Sequence, residues 1–188
     1  MTVFEQTLSI IDSLCKKHQL QYSLIGGYAM ILYGVQRMTQ DIDITVLVEL
    51  EDIEKVGNIF LDNGFSPRKE HPIQFFQRYF VLPSTYLATD VMVDIAAGVS
   101  NFDKTVVQRS CVTKYSNLEI PVASVEDMII YKVLANRKID QYDVEFLFKF
   151  HSESIDKIYL LKTAKDFCEI ERDDIFETIT TFARTYLR

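Results

Sequence analysis

Residues 41–47 read DIDITVL, an acidic–apolar alternation running into a continuous apolar stretch, and this segment constrains the chain more than any other. Residues two apart on a strand share a face, so Asp41 and Asp43 project together while Ile42 points the other way. Strand rise puts the two about 6–7 Å apart at the backbone, a spacing that suits a hard divalent cation. Upstream, Gly26 and Gly27 open an apolar segment, and Arg37-x-Thr39 stands just before the acidic pair. Paired glycines suit a phosphate chain that must approach backbone amides at a helix start. Together these features point to metal-dependent chemistry on a nucleoside triphosphate.

At 188 residues the chain can build one domain with a real core, or a core plus a helical appendage. Its formal net charge of −7 argues against a non-specific nucleic-acid coat, although it leaves room for a local basic patch. Cys15, Cys111 and Cys168 are odd in number and widely spaced, so neither a disulfide framework nor a structural zinc site is expected. The N-terminal residues lack the pattern of a signal peptide, and no apolar run approaches the ~18 residues of a membrane span. The expected location is cytoplasmic, with no membrane partner.

Hydrophobic periodicity divides the chain into an α/β core, residues 1–122, and a helical region, residues 123–188, expected to pack on it. Phe4, Leu8, Ile11, Leu14 and Cys15 fall on one helical stripe. Tyr22–Ile25 reads as a strand entering the glycine pair, followed by a helical segment over 28–33 and the strand bearing Asp41 and Asp43. Helical spacing returns over 51–63. The middle reads as strands at 75–82 and 90–96, then a hairpin of 111–115 and 119–122 around Ser116-Asn117. After Ser124, a good N-cap, helices are expected over 125–136, 141–150, 154–167 and 173–187.

Two-cation phosphoryl chemistry needs one ion to acidify the attacking hydroxyl and another to clamp the triphosphate. A third carboxylate on a neighbouring strand completes such a cage, and Asp94 fits best. It lies in VMVDIA, where an unpartnered charge would be costly. Asp90 shares its face but stands at the strand entrance, where turn and capping roles are common. Each piece alone has a plainer reading: a solvated strand end, a simple turn, a surface arginine. Their ordered co-occurrence makes one consistent site.

The string GGYAMILYGVQRMTQDIDI, with an aspartate on a later strand, resembles the nucleotidyltransferase superfamily typified by DNA polymerase beta. Within it, the chain is similar to minimal bacterial nucleotidyltransferases of the AbiEii toxin type. A second stretch, IPVASVEDMIIYKVLANRKIDQYDVEFL, resembles that family's passage from a hairpin into a lysine-bearing helix. The resemblance covers roughly residues 20–150 and is weak over 65–88. It implies an α/β (α+β) fold: a nucleotidyltransferase-like mixed sheet with flanking helices and a C-terminal helical region. Many relatives carry Gly-Ser where Gly26-Gly27 stands, so backbone amides must do here what a hydroxyl does there.

The resemblance implies that Asp41, Asp43 and Asp94 bind two Mg²⁺ ions, with Asp94 the possible base for the acceptor hydroxyl. Gly26 and Gly27 would contact the triphosphate, and Arg37 and Thr39 would steady the loop or touch phosphate. Lys132 would reach the triphosphate, and Arg137, Lys138, Asp140 and Asp143 would form a later polar motif. On the residues alone, Lys132 can equally snorkel to solvent. The 137–140 cluster can equally be a helix end followed by an N-capping Asp140, and Asp143 can pair with Lys132 or Arg137.

The function expected is transfer of a nucleoside monophosphate from an NTP such as ATP to an acceptor hydroxyl. The resemblance implies a tRNA end as acceptor and an antitoxin protein as partner. The alternatives are an aminoglycoside or lincosamide antibiotic as acceptor, or a catalytically idle nucleotide-binding module of the same fold. A tRNA modifier should be basic beside its cleft, with Arg68, Lys69, Arg137 and Lys138 as candidates, whereas a cationic drug calls for an acidic pocket.

Overall fold

Thr2 caps the first helix, α1 (Val3–Lys17), in a reciprocal box with Glu5, and the helix buries Leu8, Ile11, Leu14 and Cys15 of the stripe its spacing predicts, with Phe4 half-buried. The computed structural model describes residues 1–187. They divide into two compact units, Met1–Leu32 with Gln36–Ala123, and Tyr33–Val35 with the residues from Ser124 on. No helix among the described residues is long and apolar enough to cross a membrane.

In the first unit α1 is followed by β1 (Tyr22–Ile25), α2 (Gly26–Leu32), β2 (Asp41–Leu47) and α3 (Ile53–Leu61). Then come β3 (Phe65–Pro67), α4 (Pro72–Tyr79), β4 (Val81–Tyr86), β5 (Val91–Gly98), α5 (Asn101–Arg109), β6 (Cys111–Tyr115) and β7 (Leu118–Val122). The strands form one mixed sheet in the order β3-β4-β5-β2-β1-β7-β6. β2 pairs with β5 in parallel and with β1 antiparallel, so the acidic strand lies centrally. Ile42, Ile44, Val46, Val93 and Ile95 are fully buried, which locks the register that keeps the intervening aspartates on the other face.

Three stretches differ from their sequence reading. Residues 75–82 are expected to be a strand, but the structure forms α4 and starts β4 only at Val81. Pro72 at the first helical position presets the backbone, and Phe80 ends the turn in the left-handed region (φ 56°), donating its N–H to Phe76 O at 2.8 Å. Tertiary packing decides the matter. Phe76 is fully buried, and a Cβ at Gly57 on α3 would meet Ile73 Cδ1 at 2.7 Å and Phe76 Cδ1 at 3.1 Å, so α4 docks where α3 has no side chain. The short edge strand β3 and the helix α5, capped by Ser100 and Asp103, have no counterpart in the sequence reading. The 111–122 hairpin forms as expected.

The second unit contains α6 (Val125–Ala135), α7 (Lys138–Phe150), α8 (Lys157–Asp166) and α9 (Asp173–Tyr186). Ser124 caps α6 by accepting from Asp127 N, and Asn136 closes it in the left-handed region (φ 47°). Met128, Ile129, Ile130, Leu147, Phe148, Leu160, Ile175 and Ile179 are fully buried and form its core. α7 begins three residues earlier than periodicity predicts, because Arg137 rather than Asp140 is the cap. Asp140 stands at the third helical position, reaching back to Arg137 N at 3.1 Å.

Candidate active site

The register of the parallel β2–β5 pair sets Asp43 directly beside Asp94 and Asp41 beside Met92. Asp41, Asp43 and Asp94 each offer one oxygen within 4.8 Å of the others. Oxygen ligands of Mg²⁺ or Ca²⁺ stand about 2.0–2.6 Å from the metal, so a spread of this size matches donors ringed around a cation. The donor set, carboxylate oxygens alone, suits a hard ion. Asp90 lies apart from this set, in the turn before β5, with φ 57° and its N–H on Tyr86 O.

Two neighbours orient the β2 carboxylates. Thr39 donates its hydroxyl to Asp41 Oδ1 at 2.9 Å, and Gly27 donates its amide to Asp43 Oδ2 at 3.3 Å. The glycines are required by space as well as by backbone. Gly26 has φ +68°, and a Cβ there would land on the Asp43 carboxylate. A Cβ at Gly27 would meet Thr39 Oγ1 at 2.5 Å and come within 3.3 Å of an Arg37 guanidinium nitrogen. The structure thus brings Gly26, Gly27, Arg37 and Thr39 to the three aspartates, and the glycines leave room for carboxylates as much as for phosphate.

Arg68, one candidate for a basic surface beside the cleft of a tRNA modifier, bonds Asp94 Oδ1 through its guanidinium. Its Nε also donates to Ser84 O at 3.2 Å. Three converging carboxylates need a counter-charge, which is the signal that could have directed attention to it. Burial raises the Asp94 carboxyl above the ordinary range; Arg68 opposes this, and the Asp41 charge adds to it. Asp94 therefore holds a proton more readily than a solvated aspartate.

In the second unit the later polar motif also comes together. Lys132 is only 3% exposed and donates to Asp140 Oδ1 and Asp143 Oδ2, both at 2.9 Å. Arg137 adds Nε to Asp140 Oδ2 at 2.6 Å. Burial of Asp140 works to raise its pKa, but the bonds from Arg137 and Lys132 outweigh it and hold the carboxyl below its usual range. Lys138 opens α7 in an exposed position.

Residues 14–183 match the profile of a family described as nucleotidyl transferase AbiEii toxin, type IV TA system. A search of curated protein sequences finds no match. Among solved structures, the fold is similar to an antigenic nucleotidyltransferase-like protein from Paracoccidioides brasiliensis. That likeness has 14% identity and a TM-score of 0.54, covering 97% of this chain and 93% of the other. It is also similar to the lincosamide antibiotic adenylyltransferase LnuA, at 21% identity and TM-score 0.53, covering 76% of this chain and 95% of that one. The antibiotic-resistance factor ANT(2'')-Ia matches at 16% identity and TM-score 0.53, with 78% and 84% covered. These likenesses concern the fold.

Proposed function

Since the chain belongs to the AbiEii family of nucleotidyl transferase toxins of type IV toxin–antitoxin systems, we propose that it transfers a nucleoside monophosphate from an NTP to a tRNA end, with Mg²⁺ held by Asp41, Asp43 and Asp94. The single observation that carries this reading is the convergence of three carboxylate oxygens from two parallel strands within 4.8 Å. Bound magnesium would supply charge neutralisation of the triphosphate and acidification of the acceptor hydroxyl.

The chain's own residues do the rest. Thr39 fixes the rotamer of Asp41, and Gly27 that of Asp43, so both ligands are set before substrate arrives. Gly26 and Gly27 leave the approach to the carboxylates free of side chains. Asp94 accepts the proton of the acceptor hydroxyl. The acceptor oxygen then attacks the α-phosphorus, the bond to the β-phosphate oxygen breaks, and pyrophosphate leaves. In the second unit the Lys132–Asp140–Asp143 cluster holds the start of α7, where Arg137 and Lys138 are exposed. The family's toxin description supports an antitoxin protein as partner.

The test is incubation of the purified chain with Mg²⁺, each α-labelled NTP, total cellular RNA and, separately, a panel of aminoglycosides and lincosamides. Label in the tRNA band, absent with Asp43→Asn, is expected. Label on a drug alone would replace the acceptor, and no difference between wild type and Asp43→Asn would overturn the catalytic assignment.

A further inference from the structure

We propose that Arg68 is a built-in counter-cation of the carboxylate cluster: its guanidinium holds the place at Asp94 that a metal ion takes, and cation loading proceeds by displacing it. This rests on the metal-site reading above.

Arg68 is held by the sheet independently of Asp94. It follows the edge strand β3, its backbone N–H donates to Pro83 O at 2.8 Å, and its Nε donates to Ser84 O at 3.2 Å. Pro83 is the β4 residue in register with Asp94 on β5. The side chain is thereby carried across β4 and delivered to Oδ1 of Asp94, the third carboxylate of the cluster. With Arg68 in place, the third carboxylate is already engaged by a positive charge.

The pair is also built to yield. Arg68 and Asp94 side chains are 34% and 33% exposed, so water and ions reach both partners. An ion pair of this exposure contributes at most about fivefold to an equilibrium. The contrast is Lys132, whose side chain is 3% exposed against two carboxylates at 0% and serves as a permanent brace. A divalent ion at three carboxylates outbids one solvated guanidinium, because it meets all three charges at once. The Ser84 anchor retains the displaced side chain at the rim.

The experiment is calorimetric titration of Mn²⁺, without nucleotide, into wild type, Arg68→Met, Arg68→Gln and Arg68→Lys, with circular dichroism to verify folding. Arg68→Met and Arg68→Gln are expected to bind Mn²⁺ about three- to fivefold more tightly, and Arg68→Lys within about twofold of wild type. Equal or weaker binding by both neutral variants would overturn the proposal, since a merely structural arginine would leave affinity unchanged or disturb Asp94. The same titration on Asp43→Asn separates the two readings. If Asp43→Asn loses Mn²⁺ binding while Arg68→Met matches wild type, the metal site stands and the role of Arg68 falls. If Asp43→Asn binds as wild type does, the metal site itself is refuted.

Discussion

Asp43 and Asp94 face each other across the β2–β5 pair in exact parallel register, although 51 positions separate them in the chain. Their juxtaposition brings two like charges together, with Asp41 as a third, at a cost that a bound cation offsets. Replacing Asp43 or Asp94 with Asn should lower nucleotidyl transfer by at least about 10²-fold while leaving the fold intact. Single-turnover transfer and thermal melts measure the two effects. Mg²⁺ should raise the melting temperature of wild type and not of Asp43→Asn.

Gly26→Ala should be more damaging than its size suggests. The new methyl would land on the Asp43 carboxylate, and the φ of +68° is strained for any L side chain. Strain alone costs about 1–2 kcal/mol, and displacement of Asp43 removes a cation ligand. We expect loss of transfer activity together with a lower melting temperature. Gly27→Ala, which presses on Thr39 instead and carries no positive-φ strain, should lower the melting temperature less.

Lys132→Met should destabilise the second unit by about 3–5 kcal/mol, because it leaves Asp143 and Asp140 buried without their ammonium partner. Denaturant unfolding of the whole chain measures this. A change below about 1 kcal/mol would mean that the ammonium is not a structural brace.

Acid should expose the contribution of Asp140. Its pKa is lowered in the folded chain, so its stabilisation is present above the ordinary aspartate range and is lost as pH falls through the lower folded value. Asp140→Asn should therefore be less stable than wild type at neutral pH, and the gap should narrow on acidification below about pH 4. Melting curves from pH 7 to pH 2 test the sign.

Much of this molecule is local in origin. The alternation in DIDITVL is enough to put Asp41 and Asp43 on one face, since strand geometry has a period of two. Ser124 with Asp127 starts α6, Ser116-Asn117 turns the hairpin, and the apolar spacing of 4–15 defines the buried side of α1. Other features have no local trace. Residues 75–79 carry aromatic residues that suit a strand, and they are helical because Gly57 offers Phe76 a place to bury. Arg68 meets Asp94 from 26 positions away, from the end of an edge strand whose pairing no periodicity announces. Periodic patterns encode which face a side chain takes. Which face meets which, and therefore where three carboxylates and a guanidinium converge, is decided only when strands distant in the chain settle into register.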